Sequence, residues 1–269
     1  MLNFVIWNCD PTAFSIFGME IRWYGILFAV AFLSGWWLLS RMLRWEGQKT
    51  EMADVLLWYV AIAVIVGARL GHCLFYEPQW YLSHPLDILK IRDGGLASHG
   101  AAIGILLALW ILSRKYKTSL WYWLDRVVRP VALSGFFIRM GNLMNSEIYG
   151  HVTTLPWGFV FVREAELLPK HPTQIYEALC YLLLFASLLF YFWKKKGHIR
   201  SGLLFGWFLI GCFGMRFLIE FLKEVQVSWE AGHLLDMGQI LSIPFILLGI
   251  AVLILSHKGL LDPKDAKKA

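Results

Sequence analysis

Charge is scarce in this sequence. Asp, Glu, Lys and Arg make up 16% of its 269 residues, against roughly 25% in an average soluble domain. That deficit, with 58% hydrophobic residues and a mean hydropathy of +0.57, excludes an ordinary water-facing surface. Cysteine is scarce too. The four cysteines, Cys9, Cys73, Cys180 and Cys212, show no C-x-x-C spacing, so neither a disulfide framework nor a zinc site follows. No Lys or Arg precedes Arg22; the basic start of a cleaved signal peptide is missing, and the N-terminus is expected to be retained. Repeats, low-complexity stretches and long linkers are also missing, which points to one polytopic membrane domain over residues 1–269. The net charge of +6 lies in short clusters between apolar runs rather than in one stripe, so nucleic acid is not an expected partner.

Long apolar runs are plentiful. They fall near residues 21–40, 53–76, 94–113, 130–147, 172–193, 201–222 and 237–256, each close to the roughly 20 residues that cross a hydrocarbon core as helix. The expected fold is an all-α integral membrane protein with seven transmembrane helices. Sixteen of the 25 Lys and Arg residues lie in one set of alternate connections and only six in the other. Because Lys and Arg accumulate on the cytoplasmic side, the N-terminus is expected outside and the C-terminus in the cytoplasm. Residues 148–171 form the longest outside connection; Gly150, Pro156, Gly158 and Pro169 among apolar residues indicate a small outer cap between helices four and five.

The three remaining basic residues, Arg69, Arg139 and Arg216, fall within or at the edge of spans. A charge at bilayer depth costs about 2.5 to 3.5 kcal/mol on insertion scales, so such residues face the protein interior and mark function. With that orientation and 1.5 Å of rise per residue, Tyr24, His99, Arg139, Asn142, Arg216 and Glu220 all fall in the outer leaflet. Arg139, Asn142 and Ser146 or Glu147 share a face of the fourth span, whereas Asn145 points elsewhere. Arg216 and Glu220 are i, i+4 partners, a pairing that is equally compatible with structure alone. Arg139 has no acidic neighbour one turn away, which favours a bound anion. His99 suits proton transfer near pH 7 but would serve equally as a neutral hydrogen-bonding ring. Arg69 and His72 read as interface anchors or helix glue. Gly67 with Gly71, Gly100 with Gly104, and Gly202 with Gly206 read as close-approach pairs. Trp23, Trp58, Trp80, Trp121, Trp123 and Trp229 read as interfacial belts.

Two arginines at headgroup depth are most simply explained by a lipid phosphate, which favours a lipid-using enzyme. A transporter of an anionic solute is the alternative, although its site should lie near the midplane between repeated halves. A non-catalytic scaffold would leave the convergence of His99, Asn142 and Tyr24 without a reason.

The stretch RMGNLMNSEIYG, Arg139 to Gly150, resembles the R-x-G-N-x-x-N-x-E-x-x-G signature of the prolipoprotein diacylglyceryl transferase family. GGLASHGAAIG from Gly94, HPTQIYEA from His171, MRFLIEFLKE from Met215 and the opening IRWYGILF are similar to that family's other blocks, in the same order. Two departures occur. Family members commonly read H-G-G-L-I-G where His99 begins H-G-A-A-I-G, and Ser146 stands where glycine is frequent.

The resemblance implies transfer of an sn-1,2-diacylglyceryl group from phosphatidylglycerol to the lipobox cysteine of a prolipoprotein signal peptide. The expected location is the bacterial inner membrane, among its lipids, with the site toward the outer leaflet. The implied catalytic residues are His99, Arg139 and Arg216, and the implied substrate-binding residues are Arg139, Asn142, Tyr24, Glu147, Gly150, Arg216 and Glu220. No metal or organic cofactor is implied, because the leaving group is already phosphorylated.

Overall fold

The computed structural model describes residues 4–90, 95, 97–224 and 235–262. Trp229 and Gly94, named above, lie outside the described residues. The helices are α1 (Trp23–Trp45), α2 (Glu51–Phe75), α3 (Pro78–Ser83), α4 (Ser98–Lys115), α5 (Leu120–Met144), α6 (Thr173–Lys194), α7 (Leu203–Glu220) and α8 (Met237–His257). Each of the seven apolar runs therefore carries a helix. By length and composition, α1, α2, α6, α7 and α8 can cross a membrane, as befits a multi-pass membrane protein.

The chain divides into two compact units, Met1–Gly35 with Asp125–Ala269, and Trp36–Leu124. In the second unit, α2 and α4 cross at their glycines. A β-carbon on Gly71 would lie 2.7 Å from the Gly100 Cα, and one on Gly67 would lie 3.3 Å from the Gly104 Cα. Hydrogen in place of a side chain is what lets these backbones approach. Arg69 is buried and acts as glue: its guanidinium donates to the carbonyls of Ile88 at 2.9 Å and Asp87 at 2.6 Å and lies over the Tyr81 ring. Trp123 is fully buried and donates to Thr118 Oγ1 at 2.8 Å, so it is not an interfacial residue.

In the first unit, α6, α7 and α8 pack through small residues. Gly206 sits against the Gly249 carbonyl and Leu253, and Phe213 stacks on Phe245 at 4.3 Å. Gly202, read with Gly206 as a close-approach pair, is the N-cap of α7 and not part of the helix. It has φ 82°, and Asp125 accepts from its N–H at 2.6 Å and from that of Phe205 at 2.9 Å. A carboxylate from another helix thus satisfies orphan donors of the α7 N-terminus.

Several boundaries differ from the sequence reading, as where α1 runs on to Trp45 rather than 40. The fourth apolar helix starts at Leu120 rather than 130, because Asp125, Arg126 and Arg129 are buried polar residues of the helix, not of a loop. It also ends at Met144, three residues before the expected end. Four short strands are present among the described residues as well. β1 (Val5–Trp7) pairs in parallel with β4 (Phe159–Phe161), tying the N-terminus to the cap. β2 (Thr12–Ile16) and β3 (Met19–Arg22) form a hairpin whose two-residue turn, Phe17–Gly18, has positive φ at both positions, the type I′ pattern.

Candidate active site

The signature residues lie where α5 ends, and each position has a local reason. Gly141 leaves room for the Tyr24 ring, since a β-carbon there would lie 2.8 Å from Tyr24 Cδ2. Arg139 Nη1 donates to Asn142 Oδ1 at 3.0 Å, and Asn142 Nδ2 donates to Glu147 Oε1 at 2.8 Å. Asn145 reaches the same carboxylate oxygen at 3.3 Å, so it does not point away as its helical phase implies; the helix has already ended.

The turn that returns Glu147 beneath the helix is a Schellman motif. Glu147 N–H donates to the Asn142 carbonyl at 3.0 Å, and Ser146 N–H donates to that of Leu143 at 3.0 Å. Ser146 has φ 56°, the left-handed conformation that glycine adopts without cost. That geometry gives a physical account of the frequency of glycine at this position.

Glu177 was missed by the sequence reading. This buried carboxylate, one turn into α6, forms an ion pair through Oε2 with Arg139 Nε and through Oε1 with Lys223 Nζ at 2.8 Å. The acidic neighbour that Arg139 lacks along its own helix therefore comes from another one. Its signal was available: Gln174 and Glu177 are i, i+3 at the start of an otherwise apolar helix. Gln174 Nε2 donates to the Glu147 carbonyl at 2.7 Å, and Thr173 Oγ1 to that of Ile148 at 2.7 Å. The HPTQIYEA block thus clamps the turn after α5.

Glu220 is paired differently from expectation. Lys223 Nζ donates to its Oε2 at 3.1 Å, so Lys223 sits between two carboxylates, Glu177 and Glu220. Among the described residues Arg216 makes no ion pair or hydrogen bond, and it is half-buried. Lys223 adds a further cation to this cluster that the sequence reading did not name.

Gly150 is held between segments. Its N–H donates to the His171 carbonyl at 2.8 Å, and the next N–H, of His151, donates to that of Leu222 at 2.9 Å. A β-carbon at Gly150 would run into the Leu222 carbonyl. Farther into the cap, Lys170 pairs with Glu224 and, at 3.3 Å, with Glu166. Tyr149 donates to Glu166 Oε1 at 3.0 Å, and burial with that bond pushes its phenol up to about 12. His171 is held below the ordinary imidazole range by burial and by His151.

One unit therefore brings together Tyr24, Arg139, Asn142, Glu147 and Gly150 with Glu177, and Glu220 joins them through Lys223. Arg216 follows one turn before Glu220 on α7. His99 belongs to the other unit, at the start of α4, where it is exposed and packs edge-on to Phe75 at 5.5 Å and against Tyr76 at 5.7 Å.

A family model for prolipoprotein diacylglyceryl transferase matches residues 11–255. The chain belongs to that family. It is a transferase family, and relatives span nearly the whole of this chain. A phosphatidylglycerol–prolipoprotein diacylglyceryl transferase of Tolumonas auensis is 49% identical over 94% of this chain and 98% of its own. Proteins of the same name from Porphyromonas gingivalis and Chloroherpeton thalassium are 47% and 42% identical, over 97% and 95% of this chain and 98% and 96% of theirs. In this prolipoprotein diacylglyceryl transferase family member the signature Arg139 belongs to one ion cluster with Glu177, Lys223 and Glu220.

Proposed function

We propose that this protein transfers the sn-1,2-diacylglyceryl group of phosphatidylglycerol to the lipobox cysteine of prolipoprotein signal peptides. The thiolate sulfur attacks the glyceryl carbon that bears the phosphate ester; a carbon–sulfur bond forms, the carbon–oxygen bond breaks, and glycerol phosphate leaves with that electron pair. The reading extends to one seven-span domain in the bacterial inner membrane, with the N-terminus outside, the C-terminus in the cytoplasm and the site at the outer leaflet.

The observation that carries it is the contrast between the two arginines. Arg139 is oriented by Asn142 and Glu177, while half-buried Arg216 has no acidic partner among the described residues. A guanidinium binds phosphate oxygens with a two-pronged fork and never deprotonates, so Arg216 is suited to hold the phosphate and Arg139 to complete the clamp as charge develops on the leaving oxygen. Tyr24 and Asn142 lie beside Arg139 and suit the glycerol hydroxyls. Glu147 acts as a positioning residue, since its Oε1 accepts from both asparagines. Glu220 holds Lys223, and Gly150 passes the backbone into the cap. His99 takes the thiol proton; an unperturbed thiol near pKa 8.5 is mostly protonated at neutral pH and needs such a base.

Purified protein given phosphatidylglycerol and a lipobox peptide tests this. A thioether-linked diacylglyceryl peptide and free glycerol phosphate are expected. Absence of product, with uptake of an anionic solute into vesicles, would support the transporter instead. The His99→Gln variant is expected to lose most activity at neutral pH and to recover part of it at higher pH, where the thiol ionises unaided; full activity at neutral pH would remove His99 as the base.

A further inference from the structure

The hairpin of β2 and β3 has an apolar face that the described residues leave about half uncovered or more at every position but Ile21, which is partly buried. Register pairs Phe14 with Ile21 and Ile16 with Met19, so these four side chains share one face, while Ser15 and Glu20 pair on the other. Phe14 is 49% exposed, Ile16 46% and Met19 65%, and Phe17 at the tip is 98% exposed. Phe17 also has φ 49°, a left-handed turn position where glycine or asparagine is the ordinary occupant. A bulky aromatic is thus kept both strained and fully uncovered. Scattered exposed apolar residues need no explanation, but a contiguous one-sided patch does.

The chain supplies the covering phase. β3 ends at Arg22 and α1, long and apolar enough to cross a membrane, begins at the next residue, Trp23. The hairpin base is fixed to that helix start, because the Trp23 N–H donates to the Pro11 carbonyl at 2.9 Å. With no linker, the tip lies only about 14 Å from the helix start, four residues of strand away. It therefore stays at the surface of the membrane that α1 enters, within reach of the headgroups. We infer that this hairpin is a lipid-inserting finger: Phe14, Ile16, Phe17, Met19 and Ile21 enter the headgroup and upper acyl layer, while Ser15 and Glu20 face water. Its partner is a phospholipid surface, and its place beside Trp23 and Tyr24 sets the depth of the first residue of the proposed site.

Full-length protein in phospholipid nanodiscs tests this independently of the transfer reaction. Phe17→Cys and Ser15→Cys variants carry an environment-sensitive fluorophore, with the parent protein's labelling subtracted. Lipids bearing a nitroxide at the top of the acyl chain are expected to quench position 17 several-fold more than position 15. Equal, water-like emission at both positions would overturn the proposal. So would blue-shifted emission at position 17 that nitroxide lipids leave unquenched, because the cover would then be protein.

Discussion

At the scale of single residues, the cluster is governed by the cost of burying charge. Glu177 lies between Arg139 and Lys223, and removing one partner of a buried pair leaves the others unneutralised, at about 3 to 5 kcal/mol. Glu177→Gln is therefore expected to lower stability by that order in detergent thermal unfolding, and a variant as stable as the parent would mean that Glu220 alone suffices for Lys223. Arg139→Lys keeps the charge but loses the fork. The protein is expected to insert normally while its transfer rate falls about 100-fold, the loss of a charge-assisted bond of roughly 3 kcal/mol; parent-like turnover would refute the clamp. His171, held neutral by burial and by His151, adds a pH dependence. Its folded pKa is depressed, so the unfolded chain binds more protons, and cap stability is expected to fall as pH drops below about 6.5. His171→Gln should flatten that loss in an unfolding series from pH 7.5 to 5.

At the scale of elements, five of the described helices end in the same way, and after α1 and α8 the left-handed position is a glycine, Gly47 or Gly259. After α4, α5 and α6 the left-handed position is filled by Lys117, Ser146 and Lys196, with φ 52°, 56° and 49°. Each turn carries the paired bonds of the motif, as in Thr118 N–H to Ser113 and Gly197 N–H to Phe192. A side chain there costs roughly 1 to 2 kcal/mol relative to glycine, less the extra chain entropy that glycine brings. The two lysines recover some of it by opposing the negative end of the helix dipole. Ser146 is buried, and its hydroxyl has no partner among the described residues. Ser146→Gly is expected to raise stability by about 1 kcal/mol without loss of activity, read by thermal unfolding beside the transfer assay. A fall in stability would show that the hydroxyl fills its space usefully.

At the scale of the whole molecule, topology is the property to test. Leu167 at the cap is 89% exposed, and Lys196 lies in the turn after α6. In a cysteine-free background, Leu167→Cys is expected to react with an impermeant maleimide from outside intact cells, and Lys196→Cys only after lysis; labelling of both from outside would invert or break the proposed orientation. The apolar runs and their helices were legible from composition, because a bilayer leaves a spanning chain little choice but to bond its own backbone. The signature residues were legible as chemistry, because charge inside an apolar segment needs a reason. Partners were not legible. Arg139 meets Glu177, which is 38 residues away in sequence, and Glu220 takes Lys223 rather than Arg216. Periodicity reports only which residues share a face of one helix, whereas the partner of a buried charge is decided by which other helix end packs against it. β1 and β4 were missed for a related reason: pairing of residues 5–7 with 159–161 depends on a long-range closure that no local pattern contains.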